Sequence, residues 1–366
     1  MNEQSAVSIT SPRRRTRTVN IGGVPVGSEH PVVIQSMLNT DSRDPDACLG
    51  QIEALAAAGC EIVRLAVPDE QAARALPEII ERSPLPLVAD IHFSSRLALM
   101  AVESGIHGLR INPGNIGGEK RVDAVVKAAM SAGIPIRIGV NSGSVEKKLL
   151  KRYGGPTPEA MVESAMGHVR MLEDRGFHDI KISLKSSSVP ATVAAYRLAA
   201  KRCDYPLHVG VTEAGTPLRG AVKSSVGIGL LLAEGIGDTI RVSLTGDPVL
   251  EIGVAWEMLR SLGLRERGPE IVSCPTCGRT EIDLIGLAEA VEEHLRPVKD
   301  RFTVAVMGCP VNGPGEAREA DIGVAGGKDY GVIFKKGEIV RRVEGQDLTR
   351  AFLDELDKFI SESKGR

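Results

Sequence analysis

One repeated pattern limits the possible folds of this chain more than any other feature. Between about residues 30 and 265, a short β-rich run is followed by a longer alanine- and leucine-rich stretch, at a spacing of roughly thirty residues. Alternating β and α segments predict a parallel sheet. The strand candidates are residues 32–37, 62–67, 87–91, 108–112, 134–141, 179–184, 207–212 and 239–244. Eight such units favour a closed (β/α)8 TIM-type barrel, and no G-x-G-x-x-G motif follows the first strand to indicate a Rossmann sheet.

The pattern changes near residue 268, which indicates a second domain. Strand candidates there are residues 270–273, 302–307, 322–325, 330–334 and 338–342, with helix candidates at 281–295 and 347–363. The predicted fold class is therefore α/β: a TIM-type barrel followed by a smaller α+β domain. We expect an N-terminal arm over residues 1–29, the barrel over 30–266 and the α+β domain over 267–366.

Composition excludes several classes of protein. The formal net charge of -2 and an aromatic content of 3% do not indicate a nucleic-acid partner. The longest apolar run, residues 97–102, is far shorter than the ~20 residues of a membrane helix. No apolar segment follows the arginines at positions 13, 14, 15 and 17, so we expect a solvated arm rather than a targeting signal. Six cysteines in 366 residues do not form a secreted disulfide framework, and we expect a cytoplasmic protein.

Five predicted barrel strands carry a cation within or directly after a run that should be apolar, since strands buried on both sides are rich in valine, isoleucine and leucine. These cations are Arg64, Arg110, Arg137, Lys185 and Arg241. On the same strand faces lie Asn112, Asn141 and Ser243. Buried cations need anions, and pairing with Asp90, Glu213 or Asp238 neutralises one or two of them at most. We therefore predict a site for a substrate with several negative charges, and phosphate matches the guanidinium fork best.

Other residues at the predicted strand ends have possible roles in this site. Glu213 ends the seventh strand among the cations, where it is a candidate acid or base, the alternative being a salt bridge. His92 ends the third strand, and either substrate binding or a structural role fits it. The glycine-rich loop at residues 112–118 precedes a helix, and its backbone N–H groups suit a phosphate.

The C-terminal region holds a Cys-x2-Cys pair, Cys274 and Cys277, and a single Cys309 that opens a run ending at Glu316. A structural zinc site normally has four protein ligands. Three thiolates with a carboxylate or an open position suit an iron–sulfur cluster instead. Glu316 is our hypothesis for a displaceable fourth ligand, because oxygen is a poor match for a soft cluster iron. Two alternatives remain open: a non-redox barrel enzyme with zinc in its tail, and a non-catalytic electron carrier.

Several motifs together resemble a known family. They are Gln-Ser-Met at 35–37, Leu-Arg-Ile-Asn-Pro-Gly-Asn at 109–115, Gly-Val-Thr-Glu-Ala-Gly at 210–215, Arg-Val-Ser-Leu-Thr-Gly at 241–246, Ser-Cys-Pro-Thr-Cys-Gly at 273–278 and Met-Gly-Cys-Pro-Val-Asn-Gly-Pro-Gly-Glu at 307–316. In this order they are similar to the bacterial two-domain form of 4-hydroxy-3-methylbut-2-enyl diphosphate synthase, of the non-mevalonate isoprenoid pathway. The resemblance covers almost the whole chain, and the extra domain of the plant-type form is missing.

The resemblance implies an iron–sulfur oxidoreductase with one 4Fe-4S cluster on Cys274, Cys277 and Cys309, and with Glu316 on the fourth iron. It implies reductive ring opening and dehydration of 2-C-methyl-D-erythritol 2,4-cyclodiphosphate, with Glu213 assisting protonation of the leaving hydroxyl. It further implies flavodoxin or ferredoxin as electron donor, and a homodimer whose active site lies between one chain's barrel and the other's cluster domain. The matching positions for substrate are Arg110, Arg137, Asn141, Lys185, Thr212, Arg241 and Ser243, to which the strand pattern adds Arg64 and Asn112.

Overall fold

The computed structural model describes residues 9–309 and 317–363. The chain forms two compact units, Met1–Arg265 and Glu266–Arg366. The first unit begins with an antiparallel hairpin of β1 (Val19–Ile21) and β2 (Val24–Val26). Its two-residue turn is formed by Gly22 and Gly23, whose φ values of 56° and 93° require residues without a side chain.

Eight parallel strands follow the hairpin: β3 (Val33–Met37), β4 (Ile62–Ala66), β5 (Leu87–Asp90), β6 (Gly108–Ile111), β7 (Ile136–Asn141), β8 (Ile180–Lys185), β9 (His208–Val209) and β10 (Thr239–Ile240). From β3 to β8 each strand pairs with the next one in the chain, β9 pairs with β10, and β10 pairs with β3. A parallel bridge between Ile182 and Leu207 joins β8 to the residue before β9. The ring is closed, and the predicted TIM-type barrel is confirmed.

Helices connect the strands on the outside: α1 (Pro45–Ala58), α2 (Glu70–Arg82), α3 (Ser95–Glu103), α4 (Glu119–Ala132), α5 (Lys147–Tyr153), α6 (Pro158–Glu173), α7 (Val189–Ala200), α8 (Pro217–Ala233) and α9 (Pro248–Ser261). Their starts are encoded locally. Asp44, Thr157 and Asp247 each accept a hydrogen bond from the first turn, and a proline follows each of them. Within the described residues, no helix has both the length and the apolar character needed to span a bilayer.

The barrel strands alternate between two kinds of side chain. In β7 and β8, residues such as Ile138 and Ile182 are fully buried and belong to the hydrophobic core. The alternate positions, including Arg137, Lys181 and Lys185, are also buried but polar. Because successive side chains in a strand point to opposite faces, the apolar set faces the helices and the polar set fills the barrel interior.

In its described residues, the second unit has a five-stranded sheet and two α-helices. Its elements are β11 (Glu270–Ser273), α10 (Leu284–Leu295), β12 (Thr303–Met307), β13 (Ile322–Gly326), β14 (Tyr330–Lys335), β15 (Glu338–Glu344) and α11 (Leu348–Ser363). Strands β11 to β13 are parallel, and β13 to β15 are antiparallel. Residues of both helices and of β12 to β15 form one hydrophobic core, so the predicted α+β module is confirmed.

The N-terminal segment differs from the solvated arm that the sequence analysis expected. Val19, Ile21 and Val26 are buried in a small core with residues of β3, β4 and β5. Arg13 donates to Asp238 Oδ1 at 2.7 Å and to backbone carbonyls including that of Gly237. The segment therefore packs on the amino-terminal end of the barrel, with Arg13 bound to that end rather than free in solvent.

Candidate active site

A cavity of about 180 Å³ lies at the carboxyl ends of the barrel strands. Its lining comes from seven of the eight strands or the loops that follow them, and contains many more cations than anions. The lining residues are Arg64, Asp90, His92, Arg110, Arg137, Asn141, Lys185, Thr212, Arg241 and Ser243. The carboxyl end of the strands is where TIM barrels bind their ligands.

Two glycines, one within β7 and one directly after β9, make room for the cations. A Cβ atom on Gly139 would lie 2.5 Å from Arg110 Nε, and one on Gly210 would lie 3.0 Å from Lys185 Nζ. Any other residue at position 139 would displace the guanidinium, since Cβ contacts below 3.0 Å are not tolerated. The two glycines thus help to fix the positions of Arg110 and Lys185, because they leave free the space that a larger residue would occupy.

Two carboxylates neutralise part of this charge. Asp90 accepts a hydrogen bond from Arg110 Nη1 at 2.9 Å and lies 3.5 Å from Arg64 Nε. Burial alone would raise the pKa of Asp90, but Arg64 and the neighbouring cations lower it below its usual value. The second carboxylate is Glu251 in the first turn of α9, 3.2 Å from Arg241 Nη2.

Among the described residues, no carboxylate lies within ion-pair distance of Arg137 or Lys185. Arg137 Nη1 donates to Ser183 Oγ at 2.7 Å, while its Nε and Nη2 atoms are buried with no hydrogen-bond partner in the part of the chain that the structure describes. Burial, together with the cations nearby, lowers the pKa of Arg137 well below its ordinary value. Burial also lowers the pKa of Arg64 to about 10, even though Asp90 lies within ion-pair distance of it. Unpaired buried cations are strongly disfavoured, so this cavity is built to receive an anion.

The structure places eight of the nine predicted substrate residues in the lining, Asn112 being the exception. The Asn112 side chain is buried and accepts a hydrogen bond from Gly114 N at 3.1 Å, so that it shapes its own loop. Glu213 is exposed, lies in the loop between β9 and α8, and has a left-handed φ of 54°. Such a conformation in a non-glycine residue is strained and often marks a functional position.

Sequence reasoning missed or misplaced some of the charge partners. Glu251 was not predicted at all, although its place in the first turn of a helix after a barrel strand is a signal that could have identified it. Asp238 was proposed as a counter-ion for the cavity, and this was wrong. It lies before β10 at the amino-terminal end of the barrel and pairs with Arg13 instead. His92 lies in the lining, with Nε2 3.0 Å from Arg110 Nη1.

The three candidate cysteine ligands follow two adjacent parallel strands of the second unit. Cys274 follows β11 and donates its backbone N–H to Val306 of β12, and Cys309 comes two residues after β12. The loop that carries Cys277 approaches the same strand end, because Glu281 N donates to Gly308 O at 3.1 Å. The strand order therefore brings the three cysteine-bearing segments to one edge of the sheet.

Arg279 adds a positive charge to this edge. Its guanidinium interacts electrostatically with all three thiols. Hydrogen bonds from its backbone and side chain lower the pKa of the Cys277 thiol. Across residues 9–309 and 317–363, no three histidine, cysteine or acidic side chains are close enough to hold a single metal ion. Glu316 lies outside the described residues, so the full ligand set stays a prediction.

A closed barrel with a cation-lined cavity at its mouth, joined to a cysteine-bearing α+β unit, defines a two-domain barrel enzyme. The family model described as "GcpE TIM-barrel domain" matches residues 16–256, and the one described as "GcpE protein C-terminal domain" matches residues 270–358. The chain belongs to this family.

Curated relatives agree with this assignment over their full length. A protein of Maridesulfovibrio salexigens is 66% identical over 97% of this chain and 99% of its own, and one of Geobacter sulfurreducens is 60% identical over 96% and 99%. Both are named 4-hydroxy-3-methylbut-2-en-1-yl diphosphate synthase (flavodoxin). The family is one of enzymes, and the resemblance noted from the motifs is confirmed.

Proposed function

We propose that this chain converts 2-C-methyl-D-erythritol 2,4-cyclodiphosphate to 4-hydroxy-3-methylbut-2-enyl diphosphate, by reductive ring opening and dehydration. The diphosphate in the names of the relatives matches the chemistry of the barrel mouth. The observation that carries the proposal is the excess of cations in the cavity. Five cations line it or lie at its edge, while Asp90 and Glu251 neutralise at most two of them.

The diphosphate would be held by the cations that have spare donors. Arg137 offers two unpartnered nitrogens, and Arg110 and Arg241 each offer a buried Nε. Guanidinium groups bind phosphate oxygens through paired hydrogen bonds. Neutral donors from Asn141, Thr212 and Ser243 surround the same space and would orient the rest of the ring. Asn112 would then support the loop rather than touch the substrate.

A 4Fe-4S cluster fits the donors at the edge of the second unit. Cys274, Cys277 and Cys309 supply thiolates, which such clusters require, and Arg279 offsets their negative charge. A single zinc ion would hold its thiolates within about 4 Å of one another, whereas a cluster has a separate iron for each ligand. When bound, the cluster supplies the two electrons, and Glu316 would complete its ligand set.

The protein would supply the proton for the departing hydroxyl. Glu213 is the candidate donor, because its strained backbone holds an exposed carboxyl next to the cavity-lining Thr212. Flavodoxin, which the names of the relatives include, is the electron donor that we propose, with ferredoxin as the alternative. A cytoplasmic location would keep the three thiols reduced.

We also propose a homodimer, in which the cluster domain of one chain faces the barrel of the other. A second copy has a surface to bind on the barrel, since α8 exposes an apolar stripe at helical spacing. The stripe consists of Leu218, Val222, Val226 and Leu230. Contiguous exposed apolar surface of this kind is typical of protein interfaces.

Anaerobic turnover tests the proposal. Protein purified without air should be brown, with about four iron and four sulfide per chain, and should convert the cyclodiphosphate when a chemical reductant is added. A colourless protein with one zinc per chain would support the zinc alternative. An iron–sulfur protein whose melting temperature no phosphorylated ligand raises would support the electron carrier.

A cysteine variant tests the cluster assignment separately. Cys309→Ser should lose the cluster and all turnover, because one of the three thiolates is missing. Cys203→Ser is the matched control: this thiol lies in the barrel unit, with its Sγ 3.6 Å from Ala199 O, and its loss should leave iron content and turnover unchanged. A Cys309→Ser protein that stayed brown and active would refute the assignment.

A further inference from the structure

Lys185 and His208 form a buried pair at the base of the cavity. Lys185 ends β8 and His208 begins β9, and their side-chain atoms Nζ and Nε2 are 3.2 Å apart. Both residues are buried, at 6% and 1% exposure. Within residues 9–309 and 317–363, the Nδ1 atom of His208 has no hydrogen-bond partner. No function assigned above uses His208.

The surroundings of this pair are positively charged. Arg137, Arg241, Arg64 and Arg110 act on Lys185 from the cavity side, and Lys181 acts on His208 from below. Lys181 itself is 3.5 Å from Gln35 Oε1 and 3.4 Å from Thr239 Oγ1, two neutral groups. The nearby carboxylates, Asp90 and Glu251, pair with arginines.

Of the five lysine and arginine side chains that line the cavity, Lys185 gives up its proton most readily, because the other four are arginines, which stay protonated in proteins. Burial and the adjacent arginines lower the pKa of Lys185 well below its ordinary value. Burial and Lys185 do the same to the pKa of His208. Lys185 can thus be an amine that donates to a neutral imidazole in the empty cavity.

We propose that the Lys185–His208 pair is uncharged in the ligand-free enzyme, and that binding of the cyclic diphosphate brings one proton onto it. The inference rests on the proposed function. The proton is taken from solvent by the lone pair of Lys185 Nζ, and the resulting ammonium donates to a phosphate oxygen while His208 Nε2 keeps accepting from it. The ligand-free cavity thereby has one buried positive charge fewer. The ligand-bound cavity carries that charge, because the bound anion compensates it.

The proposed substrate makes the proton count easy to interpret. In a cyclic diphosphate, each phosphorus bears a single ionised oxygen, and neither titrates near neutral pH. A proton that appears in the binding equilibrium therefore comes to the protein. His92 is the alternative acceptor, since it also lines the cavity, and histidine is a common proton acceptor in proteins.

Titration calorimetry of the oxidised holoenzyme with the cyclodiphosphate, without reductant, tests the proposal. The observed enthalpy should depend on the ionisation enthalpy of the buffer with a slope of about one proton per site. The sign follows from linkage: binding raises the pKa of the pair, so affinity should fall by about tenfold per pH unit between its free and bound pKa values. Outside that window both the proton uptake and the pH dependence vanish.

The outcomes separate the two proposals. Absence of cyclodiphosphate binding would refute the proposed function and this inference with it. Binding with a zero buffer slope at every pH from about 6 to 9.5 would refute this inference alone. The measurement uses the unaltered enzyme, so it stands even where a variant fails to fold.

Variants then locate the proton. Lys185→Arg keeps a cation that does not titrate, and should bind the cyclodiphosphate without proton uptake. His92→Asn should keep the full uptake. His208→Gln keeps a hydrogen-bond acceptor without a titrating ring, and should shift the pH at which affinity begins to fall. Uptake that persists in Lys185→Arg and disappears in His92→Asn would assign the proton to His92 and overturn the proposal.

Discussion

Among the residues of the cavity, Arg137 is the cation that the protein compensates least. It is 3% exposed, and its hydrogen bond goes to the hydroxyl of Ser183 rather than to a carboxylate. Arg110, by comparison, has Asp90 at 2.9 Å. A buried charge without a counter-ion lowers the stability of the ligand-free protein. Because a bound anion would supply the missing counter-ion, the same charge strengthens the binding of an anion.

Arg137→Met should therefore stabilise the ligand-free protein while it weakens substrate binding. Removing the unpaired charge should raise the free energy of unfolding by about 1–2 kcal/mol. The loss of two free donors should weaken binding of the cyclodiphosphate by about 2–4 kcal/mol. Urea unfolding without ligand, and the ligand-induced shift in melting temperature, measure the two effects.

Asp90→Asn is the matched control, and its expected effect on the free energy of unfolding has the opposite sign. It removes the anion that Arg64 and Arg110 share, and should lower the free energy of unfolding by about 3–5 kcal/mol. If Arg137→Met were instead destabilised, with unchanged affinity, the guanidinium would be a structural group and not part of a polyanion site.

At this scale the sequence predicted the cations but not their partners. Alternation within single strands was enough to place Arg137, Asn141 and Lys185 towards the barrel interior. The carboxylate of Glu251 belongs to a helix, and its meeting with Arg241 depends on how α9 packs against the barrel. A contact between a helix and a strand, such as this one, depends on tertiary packing, and a local sequence pattern does not predict it.

Among the secondary-structure elements, the N-terminal hairpin shows most clearly what a sequence pattern cannot predict. Strands β1 and β2 have three residues each, too few for a period of two to be recognised. The limits of the helices α1 and α4, by contrast, are encoded locally, because a proline or acidic start and a C-terminal glycine in left-handed conformation delimit them.

A pair of arginines in the hairpin segment tests its packing. Arg13 binds the buried Asp238, whereas Arg17 binds Asp204 in a pair whose side chains are 41% and 55% exposed. Arg13→Met leaves a carboxylate buried without its cation and should cost about 3 kcal/mol of unfolding free energy. Arg17→Met should cost less than about 1 kcal/mol, since solvent screens the pair. Equal and small losses in urea unfolding would mean that the segment is solvated after all.

In the whole molecule, the α8 stripe is the described surface that a second copy would cover most readily. Leu218 and Val222 are 79% and 57% exposed, followed by Val226 and Leu230 at the same spacing of four residues. Residues four apart lie on one face of a helix, so the four side chains form a continuous strip. Two-fold pairing would place the same strip on both partners and cover it with itself.

A charge in the middle of the strip should dissociate the dimer. In Val222→Asp, pairing across a two-fold axis would bring like charges together in an apolar contact, which is strongly unfavourable. Sedimentation equilibrium should give the mass of two chains for the wild type and of one for the variant. Met130→Lys, at a 49% exposed apolar site on α4, is the control that should remain dimeric. A Val222→Asp protein that stayed dimeric with native stability would place the contact between copies elsewhere. Because one chain's cluster domain is proposed to face its partner's barrel, the monomeric variant should also lose turnover while it keeps its iron.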